Sequence, residues 1–460
     1  MSQPPLRIGF LGLGTVGCGA VRILWTNGEA ISRKIGRSLV VARALVRDPA
    51  KPRPVPTVGP AGAVGLDGTT GPAGAVAAGG PVVPLTREPA DITRAPDIDV
   101  VVEVMGGIEP ARTYILDALR RGKDVVTANK DLLALHGREL LEAAAAAGRD
   151  LFFEASVAGG IPIVAALKQS LAGNRISKVV GIINGTTNYI LTAMAKQGLD
   201  YAEALAEARR LGYAEADPSA DVDGLDAARK LAILASIAFG SRVGVDDVHV
   251  EGISGVSRVD LEYAREFGST VKLLAVAKED DGRIEVSVHP AILPASHPLS
   301  SVDGVYNAVY VVGDAVGETM FYGRGAGAGP TGSAVVADLI QVARNRGADA
   351  TGRLGCTCYR RLPIKPPAEH RSAYYVRLIV RDEVRVLASL AAVFAEAGVS
   401  FASIIQRPKP DERAEIVFCT HPCLEGQLRR AVAELQGHPK VIEVASVMRL
   451  ENGWAETGTG

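Results

Sequence analysis

An apolar run, Leu6, Ile8, Phe10 and Leu11, leads directly into Gly12-x-Gly14-x-x-Gly17, and Val16, Ala20, Val21 and Leu24 follow at helical spacing. Strand, glycine loop and helix in that order leave few folds open to the start of the chain. Each glycine has its own task. Gly12 permits a tight turn, Gly14 lets backbone approach a pyrophosphate, and Gly17 lets helix and strand pack closely. The helix N-terminus adds unpaired N–H groups and partial positive charge, both suited to phosphate.

The pattern downstream extends this unit. Residues 39–46, 98–104 and 124–127 read as short buried strands, with helices over 112–121 and 138–147. Buried strands alternating with helices predict a doubly wound, parallel Rossmann-type sheet over residues 1–150. Residues 52–84, rich in Gly, Pro, Ala and Val, have no helical period and read as a loop insertion. Residues 151–322 differ in texture. Strands at 179–183, 271–278 and 284–289 accompany helices at 188–197, 201–211 and 225–239, which predicts an α+β domain. A glycine cluster at 323–332 precedes an apolar helix, 333–345, so residues 323–353 are expected to return to the nucleotide domain. Residues 354–372 lack periodicity and read as a linker. From 373 to 460 the order is strand–helix–strand–strand–helix–strand, a ferredoxin-like βαββαβ unit.

Bulk properties exclude several classes. With 460 residues, 22% of them charged, and a net charge of −1, the chain has no electrostatic footprint for nucleic acid or an anionic membrane. No apolar run is long enough to span a bilayer and no signal peptide is recognisable. Five cysteines without a disulfide or zinc pattern fit a reducing compartment, so a cytoplasmic protein is expected. Cys356 and Cys358 stand too close together for the usual zinc pair, and Cys419, His421 and Cys423 read as structural thiols beside a surface histidine.

Four stretches carry chemistry. Arg47 follows the second strand, where an arginine suits the 2′-phosphate of NADP, with Lys51 and Arg53 nearby. Asp48 comes next, and an acidic residue there would suit the 2′-hydroxyl of NAD. A plain surface charge at Arg47 is the alternative. Lys130 closes Val126-Thr-Ala-Asn-Lys at a strand's C-terminal end, where open α/β sheets bind ligands. Glu154-Ala-Ser-Val157-Ala-Gly159-Gly-Ile161-Pro162 exposes carbonyls that, with Glu154, suit a hard cation, although a plain turn would use the same residues. In the stretch 212–230, Glu215, Asp217, Asp221, Asp223 and Asp226 crowd the approach to an apolar helix. Asp226 and Lys230 share a face of that helix at i,i+4. A surface pair of this kind contributes only about 0.3–0.5 kcal/mol. The helix, however, is apolar beyond Lys230 and must be buried, and a lysine entering it beside a carboxylate suits proton transfer.

Taken together, these motifs resemble homoserine dehydrogenase over nearly the whole chain. The likeness rests on Gly9–Gly17, Val126–Lys130, Glu154–Pro162, Asn184-Gly-Thr186 and Gly212–Lys230, while the C-terminal unit resembles an ACT domain. The resemblance implies reduction of L-aspartate 4-semialdehyde to L-homoserine with NADP (or NAD) as cofactor, on the route to threonine, methionine and isoleucine. It places the dinucleotide on Phe10, Gly12, Gly14, Thr15, Val16, Gly17, Arg47 and Lys130. Lys230 would be the proton donor, with Asp226 orienting it and Lys130 near nicotinamide and substrate. Glu215, Asp221, Gly185 and Thr186 would bind the substrate. Glu154, Val157, Gly159 and Ile161 would hold a monovalent cation such as sodium. A homodimer or homotetramer and a threonine effector are implied as well, but Val384-Arg385 stands where ACT domains carry Pro-Gly. A non-catalytic sensor built from the same two ligand-binding modules would not require Lys130, Asp226 and Lys230 together.

Overall fold

A computed structural model describes residues 3–58, 64–65, 82–352 and 355–451. They form two compact units. The first comprises Met1–Asn174, Ala232–Val245 and Phe321–Arg361; the second comprises Arg175–Leu231, Asp246–Met320 and Leu362–Gly460.

The first unit is built on strands β1 (Leu6–Leu11), β2 (Leu39–Leu45), β3 (Thr57–Val58), β4 (Val64–Gly65), β5 (Val83–Thr86), β6 (Val100–Glu103), β7 (Asp124–Thr127) and β8 (Leu151–Phe152). Their order is β4-β3-β5-β2-β1-β6-β7-β8. All neighbours run parallel except the short β3–β4 pair. β1 bears β2 on one side and β6 on the other, which makes its C-terminal end the switch point where such sheets bind ligands. Because both faces are covered, β6 and β7 are buried along their whole length. Helix Thr15–Thr26 buries Cys18, Ala20, Val21 and Leu24 in the same core that receives Val335, Leu339 and Val342 of helix Ala328–Gly347.

Two expectations change here. The stretch 52–84 is not wholly loop, since β3, β4 and the start of β5 extend the sheet past β2; residues 59–63 and 66–81 of that stretch lie outside the described residues. The helix expected at 138–147 begins eight residues earlier, at Lys130. Gly137 inside it, unfavourable by about 1 kcal/mol against alanine, disguises its first two turns. The Asn129 side chain caps the true start by accepting the Leu132 N–H at 3.1 Å.

The second unit contains β9 (Ile176–Ile182), β10 (His249–Val250), β11 (Ser269–Asp280), β12 (Arg283–Pro294), β13 (Tyr306–Gly313), the first half of β14 (Gly317–Arg324), β15 (Arg371–Arg381), β16 (Phe401–Lys409), β17 (Arg413–Thr420), β18 (Cys423–Leu424) and β19 (Val441–Leu450). The path through the sheet is β14-β13-β9-β11-β12-β19-β15-β17-β16. The βαββαβ unit expected from the sequence is present, with helices Val386–Glu396 and Glu425–Gln436 between its strands. Its last strand, β19, also runs parallel to β12, pairing Arg449 with Ala291 and Leu450 with Ile292. The module therefore continues a neighbouring sheet rather than hanging from it. Ile364, in the stretch read as a linker, makes a β-bridge to Ile284 at the start of β12.

Charged side chains fix this continuity. Arg449 donates to both oxygens of Glu251 at 3.0 and 3.1 Å and to Glu425 at 2.5 Å. His249, Glu251 and Glu425 lie close enough together to hold a metal ion. The Arg449 guanidinium already supplies positive charge to both carboxylates. Farther along, Arg377 of β15 donates to Asp260 at 2.8 Å and to Glu415 at 3.1 Å, and Tyr375 and Tyr263 add hydroxyl donors to the same two carboxylates. Asp260 lies in helix Arg258–Glu266, which the sequence reading left unassigned.

Candidate active site

Gly12 follows β1 with φ of +97°, a conformation in which an L side chain is strained, and a Cβ there would meet the Val104 carbonyl at 3.0 Å. A Cβ on Gly17 would lie 2.9 Å from the Gly12 carbonyl, so the helix packs against the loop as closely as glycine allows. At Gly14 the same construction meets nothing within 4 Å. Helix Thr15–Thr26 starts at that open position with no side chain capping it. Its first N–H groups thus remain for an anion, and the loop fits a dinucleotide pyrophosphate. Phe10 is buried in the sheet, Thr15 is exposed and Val16 is half-buried. Phe10 can meet a ligand only through its backbone.

Arg47 is exposed two residues beyond β2. The Asp48 carboxylate accepts the Ala50 N–H at 2.9 Å and closes a turn. Arg53 is buried and donates to the carbonyls of Lys51 at 2.7 Å and Asp48 at 2.8 Å. It clamps the loop through these two carbonyls.

At the ends of β6 and β7 the structure adds a residue that the sequence reading missed. Glu103 is fully buried. It accepts the Thr127 hydroxyl at 2.6 Å and the N–H groups of Met105 at 2.8 Å and Gly106 at 3.3 Å. Burial pushes its carboxyl up from the ordinary range, and these donors act against that shift. Asn129 donates to the Gly107 carbonyl at 2.6 Å. The loops after β6 and β7 are tied together in this way, immediately before Lys130.

Glu154 is also buried, and its two oxygens accept the N–H groups of Val164 at 2.8 Å and Ala165 at 2.7 Å. Its own N–H donates to Asp338 at 2.9 Å. With the carboxylate engaged, this loop can offer a cation only main-chain carbonyls, because the Val157 and Ile161 side chains are buried and apolar. Ala158 and Gly159 are successive left-handed residues, which turns the loop sharply.

The second unit brings Asp221, Asp226 and Lys230 together. Helix Leu225–Ala238 carries the last two on one face. Lys230 Nζ donates to Asp226 Oδ2 at 2.6 Å and to the Ile183 carbonyl at 2.8 Å, with its side chain only 12% exposed. Asn184, ahead of Gly185 and Thr186, joins this cluster. Its amide nitrogen donates to Asp221 at 2.6 Å and Asp226 at 2.9 Å, and its amide oxygen accepts the N–H and hydroxyl of Thr187, both at 2.9 Å. It caps helix Gly185–Gln197 and holds two carboxylates with the same side chain. An asparagine just ahead of Gly-Thr-Thr was the available signal. Gly185 approaches the Val305 carbonyl, which a Cβ would meet at 3.0 Å. The Thr186 hydroxyl donates to the Tyr213 carbonyl at 2.7 Å. Glu215 stands exposed on the loop between, outside the Asn184 network.

Comparison with known proteins bears on these two clusters together. Residues 162–340 match the homoserine dehydrogenase family, residues 12–154 match its NAD-binding domain, and residues 374–439 match the ACT domain. A homoserine dehydrogenase of Bacillus subtilis is 44% identical over 453 residues, covering 98% of this chain and 99% of the relative. One of Corynebacterium glutamicum is 46% identical over 451 residues, covering 96% and 95%. A crystal structure of a homoserine dehydrogenase from Thiobacillus denitrificans superposes with a TM-score of 0.88 at 42% identity, covering 98% of this chain and 99% of that one.

Proposed function

From the premise that the chain belongs to the homoserine dehydrogenase family, we propose that Lys230 is the proton donor in its reaction and Asp226 the group that orients it. The activity is that of the family, an NAD(P)-dependent oxidation and reduction interconverting L-aspartate 4-semialdehyde and L-homoserine in amino-acid biosynthesis.

The observation that carries the assignment is the setting of the Lys230 ammonium. It has three N–H donors, and Asp226 and the Ile183 carbonyl account for two of them among the described residues. The third is left for a substrate oxygen. A bound nicotinamide dinucleotide supplies the hydride. As the aldehyde carbon is reduced, its oxygen gains negative charge, and Lys230 delivers the proton that turns it into the hydroxyl of homoserine. Asp226 fixes the rotamer of Lys230 beforehand through the hydrogen bond at 2.6 Å. In the reverse direction Lys230 accepts the same proton. A positioned general acid of this kind contributes about 10²–10⁴-fold.

Asp221 and Glu215 suit the substrate ammonium, with Gly185 and Thr186 shaping the same wall. Lys130, held by the Glu103–Asn129 network, is assigned to the nicotinamide end. Arg47 is exposed and Asp48 closes its own turn, which favours the 2′-phosphate of NADP over the 2′-hydroxyl of NAD. The carbonyls of Glu154, Val157, Gly159 and Ile161 are the groups through which that loop would hold a monovalent cation. Five free cysteines accord with a cytoplasmic location. Among the described residues no helix is long and apolar enough to cross a membrane. Assembly as a homodimer or homotetramer is an expectation that light scattering tests. Threonine control at the ACT loop meets an obstacle, since Arg385 occupies a left-handed position, φ +69°, beside Val384, which is 87% exposed.

The test is homoserine-dependent reduction of NADP and of NAD by the wild type and by Lys230→Ala. Turnover in the wild type and its loss by at least a hundredfold in a folded variant is the expected result. Comparable kcat in the variant would remove Lys230 from the chemistry, and a preference for NAD would remove Arg47 from cofactor choice.

A further inference from the structure

Within the first unit lies a cavity of about 380 Å³ to which none of the motifs above contributes a reacting group. Leu133, Leu141, Phe153, Ile233, Ile237 and Val243 give it an apolar lining. Lys168, Arg242, Arg360 and Arg361 line it as well, together with Arg138, whose charge is answered by Glu142 at 2.6 Å. We propose that this cavity binds a small monoanion with an apolar body, such as a medium-chain carboxylate.

Three observations support that chemistry. The volume lies within the range of small-molecule sites, roughly 300–1,000 Å³. Among the described residues, neither Lys168 nor Arg242 nor Arg361 has a hydrogen-bonded carboxylate, whereas Arg138 does. The Lys168 ammonium lies 5.2 Å from the centre of the Phe153 ring, which screens it from water without neutralising it. The Cys356 sulfur, which also lines the cavity, answers Lys168 in part, whereas Arg242 and Arg361 have no carboxylate partner among the described residues. Asp338 is buried, and burial pushes its carboxyl well above the ordinary range, with the Glu154 charge beside it adding to the shift. A desolvated cation beside an apolar wall is an unfavourable arrangement that an incoming anion relieves. The apolar wall rejects a fully hydrated ion such as phosphate, and an apolar body recovers the burial that phosphate cannot. A cationic ligand would meet several positive charges.

The probe is octanoate, titrated calorimetrically into the full-length protein, with octylammonium as the charge-reversed control. Saturable binding of one octanoate per chain is expected, with no binding of octylammonium and no displacement by NADP. Lys168→Gln is expected to weaken binding at least tenfold by removing the charge. Leu141→Trp, which fills the cavity from the other side, is expected to abolish it, and thermal melts verify that both variants fold. Absence of saturable octanoate binding overturns the proposal. So does equal binding of octylammonium, affinity unchanged in either folded variant, or competition with NADP, which would put the ligand in the dinucleotide site. The proposal is independent of the catalytic assignment, because none of these readouts uses turnover.

Discussion

Asn184 shows how much one side chain can settle. Its amide gives donors to two carboxylates and an acceptor to the first turn of a helix, four hydrogen bonds in all. Asn184→Ala removes a helix cap, costing about 1 kcal/mol. It also leaves Asp221 and Asp226 as like charges without their shared donor, so kcat/KM for homoserine should fall by about 10²-fold or more while the fold persists. Steady-state kinetics beside a thermal melt checks both parts. Cys356 offers a second test. The Cys358 thiol and backbone N–H both donate to its sulfur, with Lys168 adding positive charge, and its thiol is pulled down to about 6. Iodoacetamide labelling of Cys356 should therefore rise through a midpoint near pH 6 and level off above neutrality, and Cys358→Ser should move that midpoint upward. The thiolate is the reactive form, so a midpoint near the ordinary thiol value would contradict this setting. At the residue scale the sequence was informative where chemistry is local. Asp226 and Lys230 are one helical turn apart, and their pairing follows from spacing. Glu103 and Asn184 act on partners from about 20 to more than 40 positions away, and no local pattern announces such bonds.

Among the elements, the joint at β12, β19 and the Glu251 segment carries the clearest consequence. Burial pushes the Glu251 carboxyl up, but the hydrogen bond from His249 and the Arg449 guanidinium outweigh it and hold the group at about 2. Its folded value thus lies below its unfolded one, about 4.3. The stabilisation is fully present above roughly pH 4.5 and is lost as the pH falls toward 2. Because the side chain is 37% exposed, the amount is discounted to about 1–2 kcal/mol. Glu251→Gln should flatten the acid limb of the stability curve in that window, read by urea titration at a series of pH values. Arg449→Met is the severer change, since it leaves the buried Glu425 beside Glu251 with only the half-exposed Arg429 as a cationic partner, and should cost about 3 kcal/mol. The strands and helices of the βαββαβ module were readable in order because each is strongly periodic. The Lys130 helix start was hidden by Gly137, and helix Arg258–Glu266 was hidden by charges that look solvent-facing until Asp260 is found beneath Arg377.

For the whole molecule, the sequence yielded the Rossmann-type sheet and the ACT-like module, but not the fact that one sheet runs from β14 through to β16. That continuity depends on two pairings, Ala291 with Arg449 and Ile292 with Leu450, which join residues more than 150 positions apart. Periodicity describes a strand's faces and says nothing of its distant neighbours. Removing residues 373–460 should uncover the β12 edge at Ala291 and Ile292, both buried now, and produce a chain that aggregates. Size-exclusion chromatography of the shortened protein decides this, and a stable, monodisperse product would contradict it. The same geometry sets an order of events during synthesis. β19 leaves the ribosome after every strand it joins, so β12 and β15 must wait for it with unsatisfied backbone edges. A chain that stops short of residue 441 cannot close the sheet, and completing translation becomes a condition for burying the surface that would otherwise mark it for degradation.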